Sequence, residues 1–474
     1  MLPPELIHNI LEFALGDVEC CDSFTNISFT PRYRLEIDSG RRNDALKRSL
    51  LTVSRAFYII MQDYIFSWIS ILSWAKFWRV LALLDAQPAD IMPGGGSTIT
   101  SMGKRRLSHI VRRLDICLVF TAEEYGDNNK LIMSLARLIT GCPNLQVLVT
   151  DLSIRGVDCQ RTSPVILDSI KVHTFLRRLD FAGHEGPALE DYILLIAYLP
   201  NLEQLTTGRI AEPRMEREQL LDALNTLNER RLLKGAETTK VSWPFLHTIQ
   251  LSLRPVHSSL RLLQDIGLPH LRRISMKTID FFEPRVENFF SIVGHQLTHI
   301  YTYDIRSDGP PHGYRRLLEA CPNLLHLTFA VRQDDRHSEP WAHQNLQSLG
   351  LRNLLPKTMP EREFAQNVSH AILRTLGRII LARKNDKLPC LRIIKMEDEG
   401  TTPLQFMKIY GAEWARECDV TGILLVESYG RQIPGGLPAV EYEPNVETKL
   451  HRTSKRAGEL LSKVRRRILR PYRE

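Results

Sequence analysis

A phrase in which a Pro is followed by an apolar, strand-like run recurs along the chain and constrains its fold more than any other feature. Proline lacks an N–H and disfavours helix in the residue before it, so each phrase predicts the end of a helix and the start of an extended segment. A phrase that recurs in this way predicts a repeat array. It occurs as GCPNLQVL (141–148), YLPNLEQL (198–205), GLPHLRRI (267–274), ACPNLLHL (320–327) and KLPCLRII (387–394).

The strand segments share one apolar pattern. With the first strand Leu as position n, apolar residues also stand at n+3 and n+5, except that three units have Thr150, Thr207 or Thr302 at n+5. Alternate side chains of a strand point to opposite faces, so n+3 and n+5 are predicted to face the core. The pattern holds for Val111, Leu114, Ile116; Leu176, Leu179, Phe181; Leu246, Ile249, Leu251; Leu271, Ile274, Met276; Leu324, Leu327, Phe329; Leu346, Leu349, Leu351; and Leu391, Ile394, Met396.

The spacing of the repeat anchors fits one strand and one helix per unit. The successive anchors Leu246, Leu271, Leu297 and Leu324 lie 25, 26 and 27 residues apart, inside the period of roughly 20 to 29 residues that leucine-rich repeats have. Two steps between successive anchors, from Leu202 to Leu246 and from Leu346 to Leu391, are too long for one unit. The first contains a helical apolar spacing at 216–233, which predicts a longer helix, and the second contains a helix-like run at 364–381, where a degenerate unit is a further interpretation.

The array resembles the irregular leucine-rich repeats of F-box proteins. This resemblance implies an α/β fold in which residues 104–440 form a right-handed solenoid, with a curved parallel sheet and helices on its convex side. A non-repetitive α/β domain whose helices end at Pro is the alternative.

The N-terminal segment 2–15, LPPELIHNILEFAL, carries a second pattern. Two Pro and a Glu suit the start of a helix, and the apolar residues that follow share one helix face. The segment resembles the opening of an F-box, whose pattern is Leu-Pro-x-Glu-Leu followed by Ile-Leu, and Val53, Arg55, Phe57 and then Trp68 resemble its second half. A polar insertion at 16–42 separates the two halves. The matching residues of the opening are Leu2, Pro3, Glu5, Leu6, Ile10 and Leu11.

The F-box resemblance implies an N-terminal helical bundle, 1–72, that docks a Skp-type adaptor and, through it, cullin and RING subunits. An amphipathic helical cap on the array is the alternative. Helical apolar spacing from residue 71 and a Gly-rich stretch predict a linker helix and a flexible loop over 73–103. The adaptor-binding residues implied by the resemblance are Leu2, Pro3, Leu6, Ile10, Leu11, Val53 and Phe57.

An intracellular protein, in the cytoplasm, the nucleus or both, is expected because the sequence shows no apolar run long enough to cross a bilayer and no signal peptide, and because its cysteines are scattered. The sequence has 474 residues and a formal net charge of +8, and basic residues concentrate in the tail, 441–474. In this tail an apolar stripe along a basic helix suits nuclear targeting or binding to an anionic membrane, to nucleic acid or to an acidic partner. A short helix that caps the repeat array is the alternative. The 8 Cys form no CxxC pair, and Cys142 and Cys321 occupy the same slot before the repeat Pro, where packing is the preferred role.

No motif for catalysis, nucleotide binding or metal binding stands in the sequence, so a non-catalytic protein without cofactor or metal is expected. The F-box resemblance implies the substrate-recognition subunit of a cullin-RING (SCF-type) ubiquitin ligase, which holds a protein target near the transferring enzyme. A repeat scaffold without ubiquitin transfer, or a nucleic-acid or acidic-surface binder acting through the tail, are the alternatives.

The strand positions n+2, n+4 and n+6 are predicted to point away from the core, onto an exposed sheet face. Their basic residues and tyrosines predict an acidic or phosphorylated target segment, with a merely solvated strand face as the alternative. Arg113, Asp115, Arg178 and Asp180 belong to this outward set. The predicted substrate-binding residues are Arg273, Lys277, His299, Tyr301, Tyr303, His326, Arg352 and Lys395.

Overall fold

The chain folds as a repeat-like α/β structure built on one 12-stranded parallel sheet, whose strand order follows the chain order from β1 to β12. The computed structural model describes residues 66–85, 107–120, 129–154, 162–181, 186–207, 219, 222, 225–226, 243–251, 263, 267–280, 283–306, 313–331, 341–353, 361–397 and 414–427. The strands are β1 Trp68–Ile71, β2 Arg113–Phe120, β3 Val147–Ile154, β4 Arg178–Phe181, β5 Gln204–Thr207, β6 Thr248–Leu251, β7 Arg273–Asp280, β8 His299–Arg306, β9 His326–Val331, β10 Ser348–Asn353, β11 Ile393–Glu397 and β12 Leu424–Glu427.

Described helices lie between β1 and β2, β2 and β3, β3 and β4, β4 and β5, β7 and β8, β8 and β9, and β10 and β11. Parallel neighbours require such crossovers, and a Pro at the first turn of two helices, α3 and α5, suits the helix start. Neighbouring helices α2, α3 and α4 contact one another in sequence order. The helices are α1 Trp74–Asp85, α2 Asn129–Thr140, α3 Pro164–Lys171, α4 Leu189–Tyr198, α5 Pro284–Val293, α6 Gly313–Ala320 and α7 Glu361–Lys384.

The predicted apolar register is confirmed along the whole sheet. The n+3 residues lie opposite one another on adjacent strands, as in the pairs Leu114 with Leu148 and Ile249 with Ile274. The anchors at n are at most 2% exposed, so each Leu contributes about 2 kcal/mol of burial free energy. The n+3 ladder is Ile69, Leu114, Leu148, Leu179, Leu205, Ile249, Ile274, Ile300, Leu327, Leu349, Ile394 and Leu425.

The three threonines at n+5 are also buried rather than defects in the core. Thr302 is 0% exposed, Thr207 Oγ1 donates to Gln250 O at 3.2 Å, and Thr150 Oγ1 donates to Asp180 O at 3.4 Å. A hydroxyl in the core is thus satisfied by a carbonyl of the next strand. This explains why the apolar pattern tolerates Thr at these positions.

A hydrogen-bonded turn precedes the strands and places the residue at n−3 in the core. The N–H at n donates to the carbonyl at n−3 in most repeats, for example Leu145 N to Cys142 O at 3.1 Å and Leu324 N to Cys321 O at 3.0 Å. Both cysteines are 0% exposed, which confirms their predicted packing role. Burial raises the pKa of each thiol to about 12, so they stay protonated and unreactive.

An asparagine ladder joins neighbouring repeats at these turns. The Asn side chain at n−1 donates from Nδ2 to the carbonyl at n−2 of the preceding repeat: Asn144 to His109 O at 2.7 Å, Asn201 to Thr174 O at 2.7 Å, Asn323 to His295 O at 2.6 Å and Asn345 to Pro322 O at 2.9 Å. The Asn of the Pro-Asn-Leu phrase therefore has a structural role, which the sequence interpretation missed.

The sheet begins earlier than the predicted start of the repeats at residue 104. Trp68 lies in β1, inside the range predicted for the helical bundle, and β1 pairs with β2 along its length. Helix α1, predicted as a linker, is the crossover between these two strands. Ile69 and Ile71 thus form the core side of a strand, a pattern too short to be told from a helix by periodicity.

The two long steps of the repeat spacing add no strand to the sheet. β5 pairs directly with β6, and β10 pairs directly with β11 across the single long helix α7. The degenerate unit considered for the second step is therefore not part of the sheet. The polar insertion, the loop predicted up to residue 103 and the basic tail lie outside the described residues.

Candidate protein-recognition surface

The sheet side away from the core, here called the opposite face, carries the strand positions n+2 and n+4 in two straight rows. Parallel pairing in register aligns these side chains across neighbouring strands. The n+2 row is Trp68, Arg113, Val147, Arg178, Gln204, Thr248, Arg273, His299, His326, Ser348, Ile393 and Leu424, and the n+4 row includes Asp115, Asp180, Ser275, Tyr301, Thr328, Gly350 and Lys395.

A buried charge cluster occupies the opposite face at β1 and β2. Arg113 donates from Nε to Asp115 Oδ1 at 3.0 Å and from Nη2 to Asp115 Oδ2 at 3.2 Å, so the pair is bidentate. Trp68 donates from Nε1 to Asp115 Oδ2 at 2.7 Å, and the Arg113 Cζ lies 4.2 Å from the indole centroid. Trp68, which the resemblance assigned to the helical bundle, thus positions a pair within the sheet.

The same arrangement recurs on β4, where Arg178 donates to Asp180 Oδ2 from Nε at 2.8 Å and from Nη2 at 2.5 Å. Both pairs belong to the local sequence Arg-Arg-Leu-Asp, in which Arg and Asp two residues apart share one strand face. Their side chains are at most 8% exposed. The prediction that these four residues lie on an exposed face is therefore wrong, since they form buried ion pairs.

A different chemistry occupies β7, β8 and β9. His299 and His326 lie opposite each other, and their rings stack with centroids 4.3 Å apart and planes inclined by 27°. Arg273 lies opposite His299 on the other side, and Thr298 Oγ1 is 2.8 Å from His299 Nδ1. Arg273, His299 and His326 are all partly exposed.

The electrostatic environment keeps both imidazoles neutral near pH 7. Burial lowers the pKa of His299 to about 3, with His326 and Arg273 adding to the shift. Burial also lowers the pKa of His326, again with a contribution from Arg273. Arg273 contributes to both shifts because a nearby guanidinium disfavours the protonated imidazole.

The predicted substrate-binding residues divide into three groups. Arg273, His299 and His326 lie side by side, and Lys395 is a partly exposed residue further along the sheet. Tyr301 and Arg352 are only 4% and 3% exposed, so their predicted exposure is wrong. Alternation fixes the direction of a strand side chain but not what packs over it. Lys277 and Tyr303 lie in β7 and β8, outside the described side chains, as do all adaptor-binding residues: Leu2, Pro3, Leu6, Ile10, Leu11, Val53 and Phe57.

Two exposed aliphatic residues complete the n+2 row and were missed by the sequence interpretation. Ile393 on β11 and Leu424 on β12 are paired in register and are 37% and 36% exposed. The signal was present, since apolar residues stand at both n+2 and n+3 in the phrase at 387–394, whereas only n+3 faces the core.

Comparisons with known proteins leave the identity of the chain open. No family model and no curated protein matches it. Among solved structures, a Bacteroides fragilis protein from a structural genomics consortium matches with 12% identity and a TM-score of 0.31, covering 70% of this chain and 76% of its own. Within the described part of the chain, no helix is long and apolar enough to cross a membrane, and no group of three or more His, Cys, Asp or Glu could hold a metal ion.

Proposed function

We propose that this protein is the non-catalytic substrate-recognition subunit of an SCF-type cullin-RING ubiquitin ligase, acting in the cytoplasm, the nucleus or both. In this role the N-terminal segment docks a Skp-type adaptor, and the repeats hold a protein target. The observation that supports the target-holding half is the uninterrupted sheet, in which the strands follow one another in chain order.

A sheet of this kind suits a rigid holder for a target. Each repeat packs against its neighbours, and such arrays form extended surfaces on which a partner is bound. The asparagine ladder and the shared core register tie successive repeats together. A rigid connection between target and adaptor matters because the subunit contributes proximity rather than chemistry to ubiquitin transfer.

The N-terminal motif supports the adaptor-docking half. The residues at 2–11 follow the F-box opening, and Val53 and Phe57 follow its second half. Because Trp68 belongs to β1, the docking bundle of this proposal ends before residue 68. Apolar anchors of this kind dominate the affinity of protein interfaces.

Affinity purification of the tagged full chain tests the proposal. The expected result is co-purification of a Skp-type adaptor and a cullin, which the double variant Leu6→Ala/Ile10→Ala loses because two apolar anchors are removed. The matched control is Met133→Ala/Leu381→Ala, which truncates two residues that are each 57% exposed on described helices and retains both partners. Purification of the wild-type chain without a Skp-type adaptor and a cullin would refute the proposal.

The alternatives predict other results in the same experiment. A stable partner without cullin would indicate an assembly scaffold, and salt-sensitive RNA capture would indicate nucleic-acid binding through the basic tail. Deletion of the residues after Asn445, followed by imaging of a fluorescent fusion, tests the tail separately. An altered distribution is expected if the tail addresses the protein to the nucleus or to an anionic membrane.

A further inference from the structure

Exposed aromatic side chains concentrate on one edge of the sheet, at the turns that precede β4, β5 and β6. Phe175 and Phe245 stand at n−1 and are 61% and 54% exposed. Val172 and Tyr198 stand at n−4 and are 58% and 43% exposed. We call these four residues the aromatic rim. Three of the four exposed Phe, Tyr and Trp side chains in the described part of the chain belong to it, so it differs from the scattered apolar residues of an ordinary surface.

The two phenylalanines of the aromatic rim stand where neighbouring repeats have a ladder asparagine. Asn144 and Asn201, also at n−1, each donate to a carbonyl of the preceding repeat, and a phenyl ring has no donor. Giving up such a bond costs roughly 1 kcal/mol, and a ring this exposed gains little burial in return. Neither the core nor the ladder therefore explains Phe175 and Phe245, and departures from a local rule are expected at functional surfaces.

The spacing of the two phenylalanines follows from the strand register. β5 pairs with β4 on one side and with β6 on the other, so Asn201 stands between Phe175 and Phe245. Neighbouring strands lie about 4.8 Å apart, which places the two phenylalanines about 10 Å apart.

This spacing matches the polyproline II helix. That helix has three residues per turn and rises about 3.1 Å per residue, so residues i and i+3 lie on the same side about 9 Å apart. A β-strand places its residues of one side about 7 Å or about 13 Å apart and matches less well.

A polar row at n+1 borders the aromatic rim on its strand side. Arg177 donates from Nε to Glu203 Oε1 at 2.7 Å and from Nη2 to Glu203 Oε2 at 3.0 Å. His247 Nε2 lies 3.8 Å from the same Oε2 atom. Because the apolar strip ends at this row, it suits a slender polyproline II segment better than an α-helix about 10 Å wide.

The repeat of β7 adds positive charge at one end of the aromatic rim. Arg272 occupies the n+1 position there, its N–H donates to His247 O at 3.0 Å, and its side chain is exposed. Among the described residues no ion pair holds its guanidinium. No acidic residue stands at n−1 or n+1 of β6, β7 or β8, whereas Glu203 of β5 is held by Arg177. A carboxylate of a partner is therefore favoured at this end.

We propose that the aromatic rim binds a proline-rich segment of a partner protein in the polyproline II conformation, with prolines at i and i+3 and acidic residues directly after the second proline. The proline rings pack on Phe175 and Phe245, with Val172 and Tyr198 beside them, and the acidic side chains lie at Arg272. Such a segment is already extended before it binds, so little ordering is required. This inference rests on the proposed target-holding role of the repeats, and it names the class of segment that they hold.

Fluorescence anisotropy with synthetic peptides tests this inference on the purified full chain. The probes are fluorescein-labelled peptides of one composition, in which two prolines stand two, three or four positions apart before a Glu-Glu pair. The tightest dissociation constant is expected at the spacing of three, because the other spacings turn the second proline away from the aromatic rim by about 120°. Phe175→Ala and Phe245→Ala are each expected to weaken that peptide about tenfold.

Matched controls separate the aromatic rim from general effects of lost rings and added charge. Trp78→Ala truncates an aromatic residue of α1 that is 49% exposed and is expected to leave the dissociation constant unchanged. Arg272→Glu is expected to weaken the Glu-Glu peptide but not its Gln-Gln counterpart. Arg392→Glu, at the same n+1 position before β11, is expected to affect neither peptide.

Three results would overturn the inference: equal affinity at every spacing, no binding by any peptide, or an equal loss in Trp78→Ala. Self-association that Phe245→Ala abolishes, without peptide binding, would also overturn it, in favour of a second copy of the chain at the aromatic rim. Such a failure with adaptor and cullin still co-purifying would leave the proposed function standing. Spacing-dependent peptide binding by a chain that captures no cullin would refute the ligase role alone.

Discussion

Arginine and aspartate two positions apart on one strand give the opposite face its buried polar chemistry. Arg178 donates two hydrogen bonds to Asp180 Oδ2 within β4, and Arg113 binds both carboxylate oxygens of Asp115 on β2. A buried pair of this kind costs much when one member is lost, because the remaining charge has no partner, but little when both are replaced by apolar groups.

At Arg178 this asymmetry gives a measurable prediction. Arg178→Met is expected to lower the free energy of unfolding by about 3 kcal/mol, because Asp180 stays buried without its guanidinium. The double variant Arg178→Met/Asp180→Leu is expected to recover most of that loss. Urea denaturation of the three proteins provides the values, and a double variant no more stable than Arg178→Met would contradict the buried-pair account.

The histidine pair predicts a loss of stability in acid. The pKa of His299 is lowered from the ordinary value of 6.5 to about 3 in the folded protein, so between these pH values the unfolded chain binds the proton more readily. The contribution of neutral His299 to the free energy of unfolding is therefore complete above pH 6.5 and is lost as the pH falls towards 3. Arg273 of β7 and His326 of β9 face this ring, and Ser348 of β10 adds no charge.

Urea denaturation at about pH 7.5 and about pH 5 tests this sign. Allowing for solvent screening, His299→Gln is expected to lose about 1 kcal/mol less than the wild type between the two conditions. His270→Gln, an exposed histidine on a turn, serves as the control and is expected to behave like the wild type. Equal losses for His299→Gln and the wild type would show that the pair does not disfavour protonation.

At the scale of elements, the turn before each strand sets how closely repeats approach. Gly294 occupies the n−3 slot before β8, and a Cβ there would overlap the carbonyl oxygen of Ala320 at the end of α6. Other repeats place Cys142, Trp243 or Cys321 in this slot. The size of the n−3 residue is therefore matched to the gap between one repeat and the next.

Gly294→Ala is expected to destabilise the protein by about 3 kcal/mol, because the atom in the way belongs to the backbone. Gly377→Ala in the middle of α7 is the control. Its new Cβ would lie 3.2 Å from the ring of Trp414, a side chain that can shift, and Ala favours helix, so little change is expected. Thermal unfolding compares the two, and equal midpoints would contradict the close-approach account.

The asparagine ladder makes a second prediction at this scale. Asn323→Asp removes the amide donor to His295 O and places a carboxylate against that carbonyl, so a loss of about 1 kcal/mol is expected. His270→Asp introduces the same charge at the n−1 position before β7 and is expected to cost less. The difference between the two unfolding free energies tests the ladder, and a difference near zero would refute it.

The sequence predicted the core side of these elements because Pro and Leu act locally. Proline in the recurring phrase follows the end of a helix, and apolar residues at n+3 and n+5 share one face of the strand. The opposite face could not be predicted in the same way. Whether Arg113 or Arg273 meets solvent depends on what packs over the strand, and no local pattern encodes that. The Asn of Pro-Asn-Leu was missed because its partner lies one repeat away.

At the scale of the whole molecule, strand order and chain order coincide from β1 to β12. Stability in such arrays is a sum of repeat and neighbour terms, so a change in one repeat spreads mainly to the adjacent ones. Within the described residues, the first strand of the sheet begins at Trp68. In the proposed ligase the N-terminal segment would dock the adaptor and the repeats would hold the target.

Binding of the purified full chain to a purified Skp-type adaptor, measured by size-exclusion chromatography with light scattering, tests the central claim most directly. The account predicts an equimolar complex that persists on dilution and that Leu6→Ala/Ile10→Ala abolishes, while Met133→Ala/Leu381→Ala retains it. Separate elution of the wild-type chain and the adaptor at every concentration would contradict it.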